Sequence, residues 1–153
     1  MTTSEYQNPI LCADYSDPDI VRVGDDFFMV SSSFNHVPAL PILHSTDLVN
    51  WTIINHVMDE LPLPGYDRYQ PGKGVWAPSI RWHDGKLWVC FSTPDEGIFI
   101  CHTEDPWGEW SAPHCLREAR GWIDPCPFWD DNGQAWLVHA FAHSRSGIKH
   151  KLQ

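Results

Sequence analysis

The run DPDIVRVGDDFFMVSSS, residues 17–33, occurs three times in this chain in recognisable form. APSIRWHDGKLWVCFST (77–93) and DPCPFWDDNGQAWLVHAF (124–141) follow the same plan. Each copy opens on a small or acidic residue and a proline, passes through a short apolar segment, and reverses in a tight turn. A longer run of aromatic and β-branched residues comes next. The turns are Gly24-Asp25-Asp26, Asp84-Gly85 and Asp130-Asp131-Asn132-Gly133. Gly and Asn tolerate the positive φ that hairpin turns require, so each copy reads as two antiparallel strands.

The likeness extends beyond the hairpins. PILHSTDLVNW (41–51) matches FICHTEDPWGEW (99–110), with His44 and Asp47 against His102 and Asp105 and a Trp closing each. The third copy reaches GIKHKL (147–152). Each unit is therefore expected to hold three strands and a fourth that begins near the Trp. No amphipathic helix pattern of useful length is present. In the second strand of the middle unit both alternating faces are apolar, Leu87, Val89 and Phe91 against Trp88 and Cys90. Sheets packed radially in a β-propeller bury both faces in this way. The units start at 17, 77 and 124, intervals of 60 and 47 (77 − 17 and 124 − 77), and a blade takes about 40–50 residues. The longer first interval holds LPLPGYDRYQPGKG (61–74), which reads as a Pro/Gly-rich surface loop. The expected fold is all-β, a partial β-propeller over 1–153, with blade 1 at about 17–60, blade 2 at about 75–116 and blade 3 from about 122 onward. That amounts to two and a half to three blades.

Bulk properties narrow the partners. Twenty acidic against ten basic residues give a formal charge of −10, which repels a phosphate backbone and an anionic membrane surface. Neither nucleic acid nor membrane is an expected partner, and neutral ligands fit best. The nine Trp recur along the whole chain. Cys12, Cys90, Cys101, Cys115 and Cys126 include no CxxC pair, so they are expected to be buried reduced thiols, not metal ligands. No basic segment followed by an apolar run is visible near the N-terminus, so a cytoplasmic location is expected.

In a propeller the first strand of every blade lies near the axis, so equivalent first positions converge. Here these are Asp17, Ala77 and Asp124. Two carboxylates meeting in one pocket suit glycosidic bond hydrolysis, which needs a base or nucleophile and an acid. An Asp before Pro can equally cap a turn, and the repeat alone leaves those two readings even.

The motifs NPILCADYSDPDIVRVGDDFF (8–28), SSSF (31–34), LPILHSTDLVNW (40–51) and VWAPSIRWHDGKLW (75–88) resemble glycoside hydrolase family 43. YSDPD (15–19), GWIDPCP (121–127) and SRSGIK (144–149) resemble a subgroup that removes arabinosyl or xylosyl side groups. The resemblance implies a five-bladed propeller and an inverting β-xylosidase or α-L-arabinofuranosidase. It implies that Asp17 is the general base and that Asp124 tunes and orients the general acid. Phe34 and Trp76 would wall the sugar pocket. Asp19 departs from the Ser that many members of the family carry after Asp-Pro, though the subgroup shares it. The family's acid is a Glu in a Glu-Gly-Pro-like context, and no such motif occurs in these residues. Glu96 in Asp95-Glu96-Gly97 reads as a solvated turn residue, and His139 and His143 read as structural.

No cofactor is expected, and a structural metal on a later blade is left open. Open blade edges are expected to favour self-association. A carbohydrate-binding propeller or pseudoenzyme, and a propeller scaffold for protein partners, are the competing readings. Converging carboxylates favour the hydrolase over the scaffold, while the identity of the acid separates the first two. Xylosidase and arabinofuranosidase specificity are not distinguished.

Overall fold

A computed structural model describes residues 5–146. The third-copy segment GIKHKL lies outside these residues. The first sheet is antiparallel, in the order β1 (Asp19–Val23), β2 (Asp26–Val30), β3 (Ala39–Ser45), β4 (Thr52–Met58). The second repeats it with β5 (Trp76–His83), β6 (Lys86–Thr93), β7 (Gly97–Thr103) and β8 (His114–Glu118). The third is a pair, β9 (Trp122–Trp129) and β10 (Ala135–Phe141), followed by a single helical turn, α1 (His143–Ser146).

Local chemistry accounts for the hairpins. Asp84 and Gly85 both carry positive φ, 49° and 74°, between the paired residues His83 and Lys86. That is the two-residue turn whose twist matches its flanking strands. The repeated Ser/Thr-x-Asp motif also has a local role. The carboxylate of Asp47 accepts the backbone N–H groups of Val49 and Asn50, and that of Asp105 accepts Trp107 N–H. The fourth strand starts directly after Trp51 in the first sheet and four residues beyond Trp110 in the second.

The first strands pack in series, β1 beside β5 and β5 beside β9, as in successive propeller blades. The main core lies between the first two sheets, with Val30, Leu40, Ile42, Val75, Ile80, Leu87, Val89 and Phe91 all buried. The middle sheet is covered on both sides, which is why Cys90 on the alternate face of β6 is buried as well. The third pair is not enclosed, and Phe128, Trp136 and Val138 stand 53%, 56% and 63% exposed.

Polar ties cross the blades near the axis. Asp19 Oδ2 accepts Ile80 N–H (2.9 Å) and pairs with Arg81 Nη1 (2.5 Å), while Arg81 Nη2 reaches Cys126 Sγ (2.9 Å). One guanidinium therefore links β1, β5 and β9. The segment 61–74 is more than a surface loop. Leu61 is buried, and Tyr66 Oη donates to Glu96 Oε2 at 2.9 Å.

Candidate active site

Asp17, Ala77 and Asp124 share a rare backbone shape, with φ of 50°, 32° and 53°. Left-handed conformations cost a non-glycine residue roughly 1–2 kcal/mol, least for Asp and Asn, and persist only where the surroundings impose them. Their recurrence at the same position of three units makes this kink part of each blade's entry into its first strand. The kink brings the two carboxylates within electrostatic reach. Partial burial, and then the charge of Asp17, push the Asp124 carboxyl above its ordinary value. Asp17 Oδ2 accepts a 2.8 Å hydrogen bond from Ser32 Oγ. Ser32 in turn accepts Ala77 N–H at 2.8 Å.

The expected pocket aromatics also meet. Phe34 and Trp76 pack edge to face, centroids 6.1 Å apart at 83°. Trp76 Nε1 donates to Gly72 O (3.2 Å), and the Arg145 guanidinium lies 5.9 Å from the indole ring. Arg145 is itself paired with Asp95 at 3.5 Å. The strand-like bridge between Ser33 and Val75 clamps the two walls together. Gly74 makes that approach feasible. Its φ is +98°, and a Cβ there would sit 2.5 Å from Ser33 O and 2.8 Å from Phe34 O. Beside Phe34 opens a cleft of about 280 Å³, lined among others by His36, Tyr66, Tyr69 and Lys73.

The family model for glycosyl hydrolases family 43 matches residues 6–152. The chain belongs to that family. A xylosidase/arabinosidase of Butyrivibrio fibrisolvens is 42% identical over 137 residues, which cover 86% of this chain and 26% of that protein. A relative from Xylanibacter ruminicola that carries a beta-xylosidase name is 41% identical over 96% of this chain and 27% of its own length. The crystal structure of the family 43 protein BlXynB from Bacillus licheniformis superposes with a TM-score of 0.79 at 33% identity, over 88% of this chain and 29% of that one. The chain thus spans about a quarter of the length of these curated relatives. Its two four-stranded sheets and third pair are part of the family's five-bladed propeller.

Two sequence expectations need revision. Glu96 is half-buried and holds the Tyr66 hydroxyl, so it is not simply solvated. Burial, and then Glu96, raise the Tyr66 phenol above its ordinary value. Among the thiols, Cys90 and Cys101 are buried and pushed by that burial to about 12, but Cys12 is exposed. His139 stacks on Trp122 at 3.9 Å within β10, while His143 has left the strand and begins α1. Among the described residues no group of three or more His, Cys, Asp or Glu side chains could hold a metal.

Ser32 is the residue that sequence reasoning missed. Its signal was present in the repeat, since Ser92 occupies the same place in the second unit. Its partners are 15 and 45 positions away, which no local pattern announces.

Proposed function

We propose that this chain is the N-terminal part of an inverting exo-glycosidase that removes terminal arabinofuranosyl or xylosyl groups from plant cell-wall polysaccharide. Asp17 is the general base. It takes a proton from a water whose oxygen attacks the anomeric carbon as the glycosidic C–O bond breaks. A general acid hands its proton to the departing oxygen. That acid is a Glu outside residues 1–153, and Asp124 tunes and orients it. Phe34 and Trp76 offer apolar ring faces and edges to the CH groups of the sugar. The observation that carries this reading is the pair Asp17 and Asp124. They occupy equivalent positions of two blades, share one strained backbone shape, and are close enough for one charge to be felt by the other.

The test is hydrolysis of para-nitrophenyl α-L-arabinofuranoside and β-D-xyloside by this chain and by the longest natural reading frame containing it. The longer protein is expected to turn over at least one of them, and Asp17→Ala to lower kcat by about 10²–10⁴-fold. Sugar binding without turnover in the longer protein would instead mark a carbohydrate-binding pseudoenzyme. Turnover by the 153-residue chain alone would sink the claim that the acid lies elsewhere.

A further inference from the structure

We infer that Ser32 is the positioning residue of the base: it occupies one oxygen of Asp17 and leaves the other for the attacking water. This rests on reading Asp17 as the base.

The direction of the hydrogen bonds carries the inference. A serine hydroxyl has one proton to give and two lone pairs to accept with. Ala77 N–H can only donate, so at 2.8 Å it takes a lone pair of Ser32 Oγ. The remaining proton is aimed at Asp17 Oδ2, 2.8 Å away. Ser32 is 4% exposed and its own N–H is fixed on Ser16 O (3.0 Å), so the residue is anchored and water has little access to the hydroxyl. Hydrogen bonds to an ionised group are about twice as strong as neutral ones, and each bond in a chain polarises the next. Oδ1 has no hydrogen-bond partner among the described residues. It is the oxygen left to accept a proton from water.

The repeat supplies an internal comparison. Register with the first strand of each unit pairs Asp19 with Val30, Ser79 with Cys90 and Cys126 with Val138. Ser32, Ser92 and Ala140 are then equivalent, each two residues further on. Where Ala77 replaces the carboxylate, Ser92 Oγ turns instead to Trp76 O at 3.4 Å. Where Ala140 replaces the serine, Asp124 has no such donor among the described residues. Of the three described blades, the first alone has both halves of the pair, and there the donor is held by the N–H of the neighbouring blade. A base that must be aimed is thereby distinguished from a carboxyl of nearly the same φ.

The test uses the longest reading frame containing this chain, with Ser32→Ala, Ser32→Thr, Asp17→Ala and the Ser32→Ala/Asp17→Ala double variant. Ser31→Ala is the control, because the neighbouring Ser31 hydroxyl is buried without a hydrogen-bond partner among the described residues. Ser32→Ala is expected to lower kcat roughly 10–100-fold, with KM within about threefold, as misplacing a reacting group does. Ser32→Thr restores most of the rate, and Ser31→Ala changes neither constant. In the Asp17→Ala background, Ser32→Ala costs nothing further, because no carboxylate remains to be held. Equal losses in both backgrounds, or an unchanged kcat, overturn the assignment. Crystal structures give a reading independent of turnover. Asp17 should keep one carboxylate orientation in the unsubstituted protein and rotate away in Ser32→Ala, and an unmoved carboxylate overturns the inference. If neither glycoside is cleaved yet Asp17 swings free in Ser32→Ala, the proposed function fails while the hold of Ser32 on the Asp17 carboxylate stands.

Discussion

The carboxyl of Asp17 has a serine hydroxyl on one oxygen, while Asp124, in the same backbone shape, has Asp17 as its charged neighbour. For Asp124 the consequence is a definite pH dependence. Its folded-state pKa lies above the ordinary 3.8, so the folded chain holds this proton more tightly than the unfolded one. The resulting stability is present at low pH and is lost as pH rises from about 3.8 through the raised value. Asp124→Asn cannot ionise and escapes that loss. It is expected to be at least as stable as the unsubstituted chain at pH 7, with the advantage disappearing toward pH 4. Urea denaturation across this range measures it, and a variant less stable at pH 7 contradicts the assigned environment. Asp47 behaves oppositely. The Asn50 and Val49 N–H groups hold its carboxyl well below the ordinary range, so its contribution is present at neutral pH and fades on acidification.

At the scale of elements, the link between blades is tested by the pair Asp19 and Arg81. The Asp19 carboxylate has a specific partner in the next blade. Both side chains are about one-third exposed, so solvent screens the pair. A double-mutant cycle with Asp19→Ala and Arg81→Ala should return a coupling of about 1 kcal/mol. A coupling near zero would mean that Ile80 N–H alone holds Asp19. The clamp between Ser33 and Val75 makes a sharper prediction. Gly74→Ala must displace backbone carbonyls and adopt a φ disfavoured for Ala, at a cost of about 1–3 kcal/mol. Because Phe34 moves with that clamp, substrate KM should rise more than kcat falls, which steady-state kinetics reads directly. The hairpins, by contrast, were legible from Asp84-Gly85 and its counterparts, since turn chemistry acts between neighbours. The 61–74 segment is the exposed loop its Pro and Gly content implies, but the burial of Leu61 and the Tyr66–Glu96 bond depend on partners in other elements.

For the whole molecule, the uneven burial of three similar units matters most. Trp88 is half-buried and Cys90 buried in β6, but Trp136 and Val138 at the equivalent places of β10 face solvent. Exposed apolar surface beside an unpaired strand edge promotes association. The 153-residue chain is expected to self-associate in solution, and Val138→Lys to shift it toward monomer in analytical ultracentrifugation. A chain that is monomeric at micromolar concentration, with or without the lysine, would show that β10 is not the adhesive surface.

By itself the sequence determined the strand–turn–strand repeat and the placing of two carboxylates at matching positions. Alternating apolar residues and Asp/Gly turns act over a few residues, and a repeated order of residues repeats its local geometry. Only the tertiary structure decided what those positions experience. Ser32 is committed to Asp17 because an N–H from the next blade fills its lone pair, and Asp124 is raised because burial and a distant charge meet there. These effects arise from blade against blade, where hydrogen-bond direction and desolvation depend on groups brought together in space and not along the chain.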